Sequence, residues 1–213
     1  ARFNNLNSLN GLQNCPNLQY LKVWNNNLST IDGLQKCINL RRINIATNDV
    51  CSLEGLKSCH NLQEIYAWDN NLSSLNGIQN LSNLQRLDIS DNNLSSLDGL
   101  QNCRRLQYLD ISNNNINSID ILKNCPNLEK LYTGSNNLST IDGLQNCPHM
   151  KIIVISNNPQ ITTLPNFLIE FIYLKKIEYE GLELELEPRM RRWLIRLQNN
   201  NRITHNTQVY GNS

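Results

Sequence analysis

The chain has 213 residues, of which 39% are hydrophobic, and a formal net charge of +1 at pH 7. That apolar content is lean for a sphere-like domain but adequate for a repeat array with one thin continuous core, and the near-neutral charge argues against a nucleic acid or an anionic membrane as partner, since both are bound through many Lys and Arg contacts to phosphate. No run of about 18 apolar residues is present and the first residues lack the charged-then-apolar pattern of a secretory signal, so neither a spanning helix nor a signal segment is predicted.

In chain order, Phe3, Asn4, Asn5, Leu6 and Leu9 align with Asn25 through Ile31, so the sequence opens just after a strand position. The first unit is therefore expected to be incomplete, with a further unit or cap upstream. From Leu18 the chain is periodic. Leu18, Leu40, Leu62, Leu84, Leu106, Leu128 and Met150 recur every 22 residues, and Asn26, Asn48, Asn70, Asn92, Asn114, Asn136 and Asn158 follow each by eight positions. Within a unit, Leu21 and Val23 alternate with polar or aromatic neighbours, the period-2 pattern of a strand with one buried face. Eight short parallel strands are predicted between Gln19 and Tyr179. Each ladder asparagine carries both donors and an acceptor, suited to backbone groups stranded by the turn after a strand, and is read as structural. Gly11, Gly33, Gly55, Gly77, Gly99 and Gly143 mark the second half of the unit, with Ile121 the one departure; the isoleucine favours close packing or a mild turn there over an obligatory left-handed backbone.

The unit Leu18, Leu21, Val23, Asn26, Leu28 spells L-x-x-L-x-L-x-x-N-x-L, and over roughly residues 3 to 187 the sequence resembles the leucine-rich-repeat superfamily. Its unit length is similar to the short class of bacterial internalins and of eukaryotic phosphatase-regulating repeat proteins. The resemblance implies an α/β repeat fold: a right-handed solenoid, horseshoe or arc, with parallel strands on the concave face and 3₁₀ or irregular segments on the convex side. The Asn-rich wording of the units, as at Gly11 to Leu21, with a tail such as His205 to Tyr210, also looks like repeat proteins of large DNA viruses of amoebae.

Six of the seven cysteines, Cys15, Cys37, Cys59, Cys103, Cys125 and Cys147, share one repeat position, where Leu81 supplies the missing rung. A position that accepts leucine is apolar, so these are predicted to be reduced core thiols rather than metal ligands or disulfides. Unpaired thiols in this number point to a cytoplasmic setting, the host cytoplasm if the protein is viral. Cys51 falls instead in the slot of Ser29, Ser73, Ser95 and Ser139 and is expected near the surface; no histidine is placed to activate it as a nucleophile.

After Met150 the spacing loosens. Asn158-Pro159-Gln160-Ile161 carries an extra residue, and Leu174, Ile177 and Tyr179 meet Leu182 where an asparagine is due, which marks an atypical terminal unit. Pro188 then opens a predicted helix whose Met190, Trp193, Leu194 and Leu197 share a face and lid the core, with Arg189, Arg192 and Arg196 opposite as a solvated face rather than a basic patch. The expected organisation is an array over residues 1–187, a capping helix over 188–198 and a polar tail or linker over 199–213.

No phosphate-cradling glycine loop, paired acid and base, activated nucleophile or metal spacing stands out, so a non-catalytic chain is predicted, without cofactor, metal or small-molecule substrate. A protein partner bound on the concave sheet is the leading reading; the substrate-recognition arm of a larger enzyme such as a ubiquitin ligase, and a structural or virion component, are alternatives. Strand residues that alternate with the buried ones would line that face. The candidate contact set is Tyr20, Lys22, Trp24, Arg42, Asn44, Tyr66, Trp68, Arg86, Asp88, Tyr108, Asp110 and Tyr132. Exposed aromatics mixed with arginine have the composition of interface hot spots, although aromatics on open sheets also pack on one another. Ala46, between Trp24 and Trp68, is expected to leave a notch for a partner side chain.

Overall fold

The computed structural model describes residues 5–199. The residues Phe3 and Asn4 used to align the first unit, and the tail from residue 200 on, lie outside them. Eight three-residue strands form one parallel sheet in sequence order: β1 (Tyr20–Lys22), β2 (Arg42–Asn44), β3 (Glu64–Tyr66), β4 (Arg86–Asp88), β5 (Tyr108–Asp110), β6 (Lys130–Tyr132), β7 (Ile152–Val154) and β8 (Lys176–Glu178). The pairing is in register at every step, Tyr20 beside Arg42, Arg42 beside Glu64 and so on. This is the solenoid that the period implied. The strands run where the alternation placed them because only one register buries the middle residues of β2 to β8: Ile43, Ile65, Leu87, Leu109, Leu131, Ile153 and Ile177 have no exposed surface.

The return segments form the other wall. They contain 3₁₀ helices at Leu12–Asn14, Asp32–Leu34, Glu54–Leu56, Asp120–Asn124, Asp142–Leu144 and Asn166–Glu170, and turns in the two remaining units. Close packing explains the glycine at Gly55, where a Cβ would lie 2.4 Å from the Ile31 carbonyl oxygen of the preceding unit. At Gly99 the backbone also turns left-handed, φ 125°, whereas Gly33, Gly55 and Gly143 have no positive φ, so the left-handed conformation occurs at this repeat position without being obligatory. Ile121, which replaces the glycine, lies within a five-residue 3₁₀ helix and is half-buried.

The asparagine ladder binds unit to unit. Asn48 accepts the Leu28 amide of the previous unit through Oδ1 (3.0 Å) and donates from Nδ2 to the carbonyls of Val23, Ile45 and Ala46. Asn70, Asn92, Asn114, Asn136 and Asn158 repeat the arrangement. The residue before each ladder asparagine has a positive φ near 55°: Asn25, Thr47, Asp69, Asp91, Asn113, Ser135 and Asn157. Five of these seven are Asn or Asp, the non-glycine residues that tolerate this conformation best.

A second ladder, which the sequence reading missed, runs along the turns that lead into the strands. Asn39, Asn61, Asn83 and Asn127 each donate to a main-chain carbonyl of the preceding unit, those of Pro16, Ile38, His60 and Arg104, at 2.8–3.1 Å. Where the ladder lapses at Arg105, the guanidinium reaches back to Asn83 Oδ1, 2.9 Å away.

Five ladder cysteines are buried as expected, but Cys15 is exposed. It occupies the first rung, and no described rung stacks on its outer side, so the register alone does not cover it; Leu12, Leu18 and Leu21 at the same end are likewise only half-buried. Cys51 is exposed, its Sγ 3.8 Å from the Ser29 carbonyl. At the other end the register between β7 and β8 lengthens, Ile152 pairing with Lys176. One added residue follows Asn158, and the other falls in the return segment, where Leu164 and Leu168 stand four apart against three for Ile31 and Leu34. Helix α1 (Pro188–Asn199) closes this end, burying Met190, Leu194 and Leu197, and packs on the Asn166–Glu170 helix. Among the described residues no helix is long and apolar enough to cross a membrane.

Candidate functional site

Side chains that alternate with the buried strand residues stand in columns on the open face of the sheet, one member per unit. The first column reads Tyr20, Arg42, Glu64, Arg86, Tyr108, Lys130, and the second Lys22, Asn44, Tyr66, Asp88, Asp110, Tyr132. A third, just past the strands, carries Trp24, Ala46, Trp68, Ser90, Ser112 and Gly134. Ten of the twelve candidate contact residues thus fall on this one face, because parallel in-register pairing brings every unit's equivalent positions side by side, and Trp24 and Trp68 follow two residues past the ends of β1 and β3.

Their local chemistry divides the face in two. In the first half Arg42 ion-pairs with Glu64, whose other oxygen accepts the Tyr66 hydroxyl at 2.7 Å, and Tyr66 meets Trp68 edge-on with ring centroids 6.0 Å apart. Burial pushes the Glu64 carboxyl up, but the hydrogen bonds from Arg42 and Tyr66 outweigh it and hold its pKa below the ordinary value. Glu64 lay outside the candidate contact set, yet it ties two members of that set, Arg42 and Tyr66, together. Its place between two arginines in the first column was the signal available.

In the second half Arg86 lies over the Tyr108 ring, 4.0 Å from the centroid, and Tyr108 packs on Tyr132 at 5.4 Å. Beside them Asp88 and Asp110 are neighbours on adjacent strands. Asp88 accepts the amide and hydroxyl of Ser90, and Asp110 the amide of Ser112. Burial foremost, together with the charge of Asp110, raises the Asp88 pKa despite those bonds and Arg86.

The notch at Ala46 does not form. Ala46 has no exposed surface, and Trp24 and Trp68 on either side are half-buried rather than free. A residue with no exposed surface cannot be the floor of an open notch, so the space expected for a partner side chain is closed at this position. Tyr20 remains well exposed, at 61%.

Leucine-rich-repeat models match the chain at residues 16–58, 60–116 and 104–146. With the sheet and its asparagine ladder, those matches decide the assignment. The chain belongs to the leucine-rich-repeat family. Its fold is similar to an internalin of Listeria monocytogenes (TM-score 0.82, 23% identity, 96% of this chain and 59% of that one) and to internalin C2 of the same species (0.77, 21%, 85% and 78%). A leucine-rich-repeat protein of Leptospira interrogans is also similar (0.77, 22%, 91% and 57%). The chain therefore spans about three fifths of the first internalin's length. No curated protein sequence matches it significantly. Leucine-rich-repeat proteins are generally protein-interaction modules, and the columns described above are the part of this one that such a role would use.

Proposed function

We propose that this leucine-rich-repeat chain is a non-catalytic module that holds a protein partner against the concave face, through Tyr20, Lys22, Trp24, Arg42, Asn44, Tyr66, Trp68, Arg86, Asp88, Tyr108, Asp110 and Tyr132. One observation carries the reading: seven aromatic and cationic members of that set stand in register on a sheet face over which, among the described residues, no helix or second sheet is stacked, α1 packing on the return segments instead. Residues of these types dominate protein interfaces, and fixing them on strands removes much of the ordering cost of binding. The near-neutral net charge favours a protein over a nucleic acid or anionic membrane, and the run of unpaired buried thiols favours a cytoplasmic setting.

The test is retention. Immobilised wild-type chain and a Trp68→Ala/Tyr108→Ala/Tyr132→Ala variant are exposed to the same lysate, and retained proteins are identified and titrated. A partner lost by at least about tenfold from a variant that keeps the circular-dichroism spectrum of the parent supports the concave site. Full retention by the folded variant rejects it.

A further inference from the structure

Resting on the concave-face reading, we infer that the middle of that face takes a lysine or arginine side chain of the protein partner between Asp88 and Asp110, with Tyr66 and Tyr132 as its walls. The argument begins with register. These four residues occupy consecutive positions in the second column, Tyr66 beside Asp88, Asp88 beside Asp110, Asp110 beside Tyr132. Adjacent strands lie about 4.8 Å apart, so two carboxylates in register form a pair that one cationic group can bridge, and a tyrosine occupies the next position of the column at each end.

The fold uses these two side chains to accept the turn amides of Ser90 and Ser112 but does not need them charged, since Asn44 accepts the Ala46 amide in the same way. Like charges directly opposite one another on neighbouring strands are destabilising. Among the described residues neither aspartate belongs to a salt bridge: Arg86 lies on the ring of Tyr108 and acts on Asp88 only from beyond ion-pair distance, while Arg42 is bound to Glu64 and Lys151 to Glu129. Asp88 and Asp110 are held by Ser90 and Ser112, and the Tyr108 hydroxyl donates to Asp110 Oδ2 at 3.5 Å, bonds that fix their orientation without supplying a counter-charge. Neighbouring units avoid the problem, with Asn44 and Tyr66 before the pair and Tyr132 and Val154 after it. A half-buried, oriented pair of negative charges on an open sheet face, with no ion-pair partner among the described residues, is complementary to a cation from outside. A partner side chain supplies that cation together with an aliphatic stem that suits the tyrosine walls.

The experiment uses a phage-displayed random peptide library selected on the folded chain, followed by titration of the selected peptides into wild type, Asp88→Asn/Asp110→Asn, and Asp32→Asn/Asp142→Asn. The last variant removes two exposed carboxylates from the return segments as a control for diffuse attraction. Enrichment of Lys or Arg at one peptide position, at least about tenfold weaker binding to Asp88→Asn/Asp110→Asn, and unchanged binding to the control support the proposal. The asparagine variant should also unfold at equal or higher denaturant concentration, so lost binding with retained stability separates recognition from structural damage. Equal weakening by the control variant, or displacement of the peptide by millimolar Mg²⁺ or Ca²⁺, overturns it. Peptides with no basic residue that lose affinity for Tyr132→Ala but not for the asparagine variant overturn the cation site and leave the concave-face reading intact. Peptides indifferent to the Trp68→Ala/Tyr108→Ala/Tyr132→Ala variant overturn both.

Discussion

Asn92 Oδ1 accepts the main-chain amide of Leu72, 20 residues earlier, at 2.9 Å, while its Nδ2 donates to the carbonyls of Ala67, Ile89 and Ser90. One buried side chain therefore satisfies main-chain groups of two units at once, and it is a substantial part of what holds neighbouring rungs together. Asn92→Ala orphans the Leu72 amide in the core and is expected to cost about 3 kcal/mol. Asn93→Ala, which removes an exposed side chain next to it, should cost under about 0.5 kcal/mol. Urea unfolding of the two variants checks this, and equal midpoints would show that the ladder contributes little.

The left-handed position before each ladder asparagine gives a stabilising substitution. Thr47 holds φ 52°, where a β-branched residue is strained and asparagine is tolerated. Thr47→Asn is expected to raise stability by about 1 kcal/mol. The exposed Thr163→Asn serves as the neutral comparison. A lower midpoint for Thr47→Asn would mean that the Thr47 methyl group packs more favourably than its backbone strain costs.

These two features show what was legible in the sequence. The Leu18 and Asn26 series fixed strand positions, the buried face and the ladder, because a 22-residue period repeats each physical requirement many times. The second ladder at Asn39, Asn61, Asn83 and Asn127 was equally periodic, but in an Asn-rich sequence its asparagines look like ordinary turn residues. Cys15 and Ala46 were misplaced for a different reason. Their repeat positions are right, but period alone does not set burial: no described rung stacks outside Cys15, and Ala46 is fully buried although its position alternates with the inward ones. The same limit applies to the candidate site. Alternation places ten of the twelve residues on one face, but it does not show that Arg42 is engaged by Glu64 or that Arg86 lies on Tyr108.

Thiol reactivity reads burial rung by rung. Cys15 and Cys51 should react with an aromatic disulfide reagent quickly at pH 8 in the native chain. Cys37, Cys59, Cys103, Cys125 and Cys147 should react only on unfolding. They are covered by neighbouring rungs, and burial pushes the thiol pKa up to about 11 at Cys59 and Cys125 and to about 12 at Cys103 and Cys147, so almost no thiolate is present. Mass spectrometry of the labelled peptides gives the order. Fast labelling of Cys103 or Cys125, in the middle of the array, would contradict the packing.

Two carboxylates on the concave face should respond to pH with opposite sign. Glu64 has its pKa lowered in the folded chain, chiefly by Arg42 and Tyr66 working against burial, so it contributes stability above the ordinary glutamate range that is lost as pH falls through its folded value. Asp88 has its pKa raised by burial and by Asp110, so the native state binds its proton more readily than the unfolded chain does. Its ionisation is a penalty at neutral pH and disappears on acidification. Glu64→Gln should therefore lower stability at pH 7, and Asp88→Asn should raise it, each by about 0.5 kcal/mol once the partial exposure of these groups is allowed for. At pH 3 both differences should shrink toward zero. Denaturation midpoints at the two pH values provide the measurement, and a penalty from Asp88→Asn at pH 7 would mean that the hydrogen bonds from Ser90 outweigh the repulsion from Asp110.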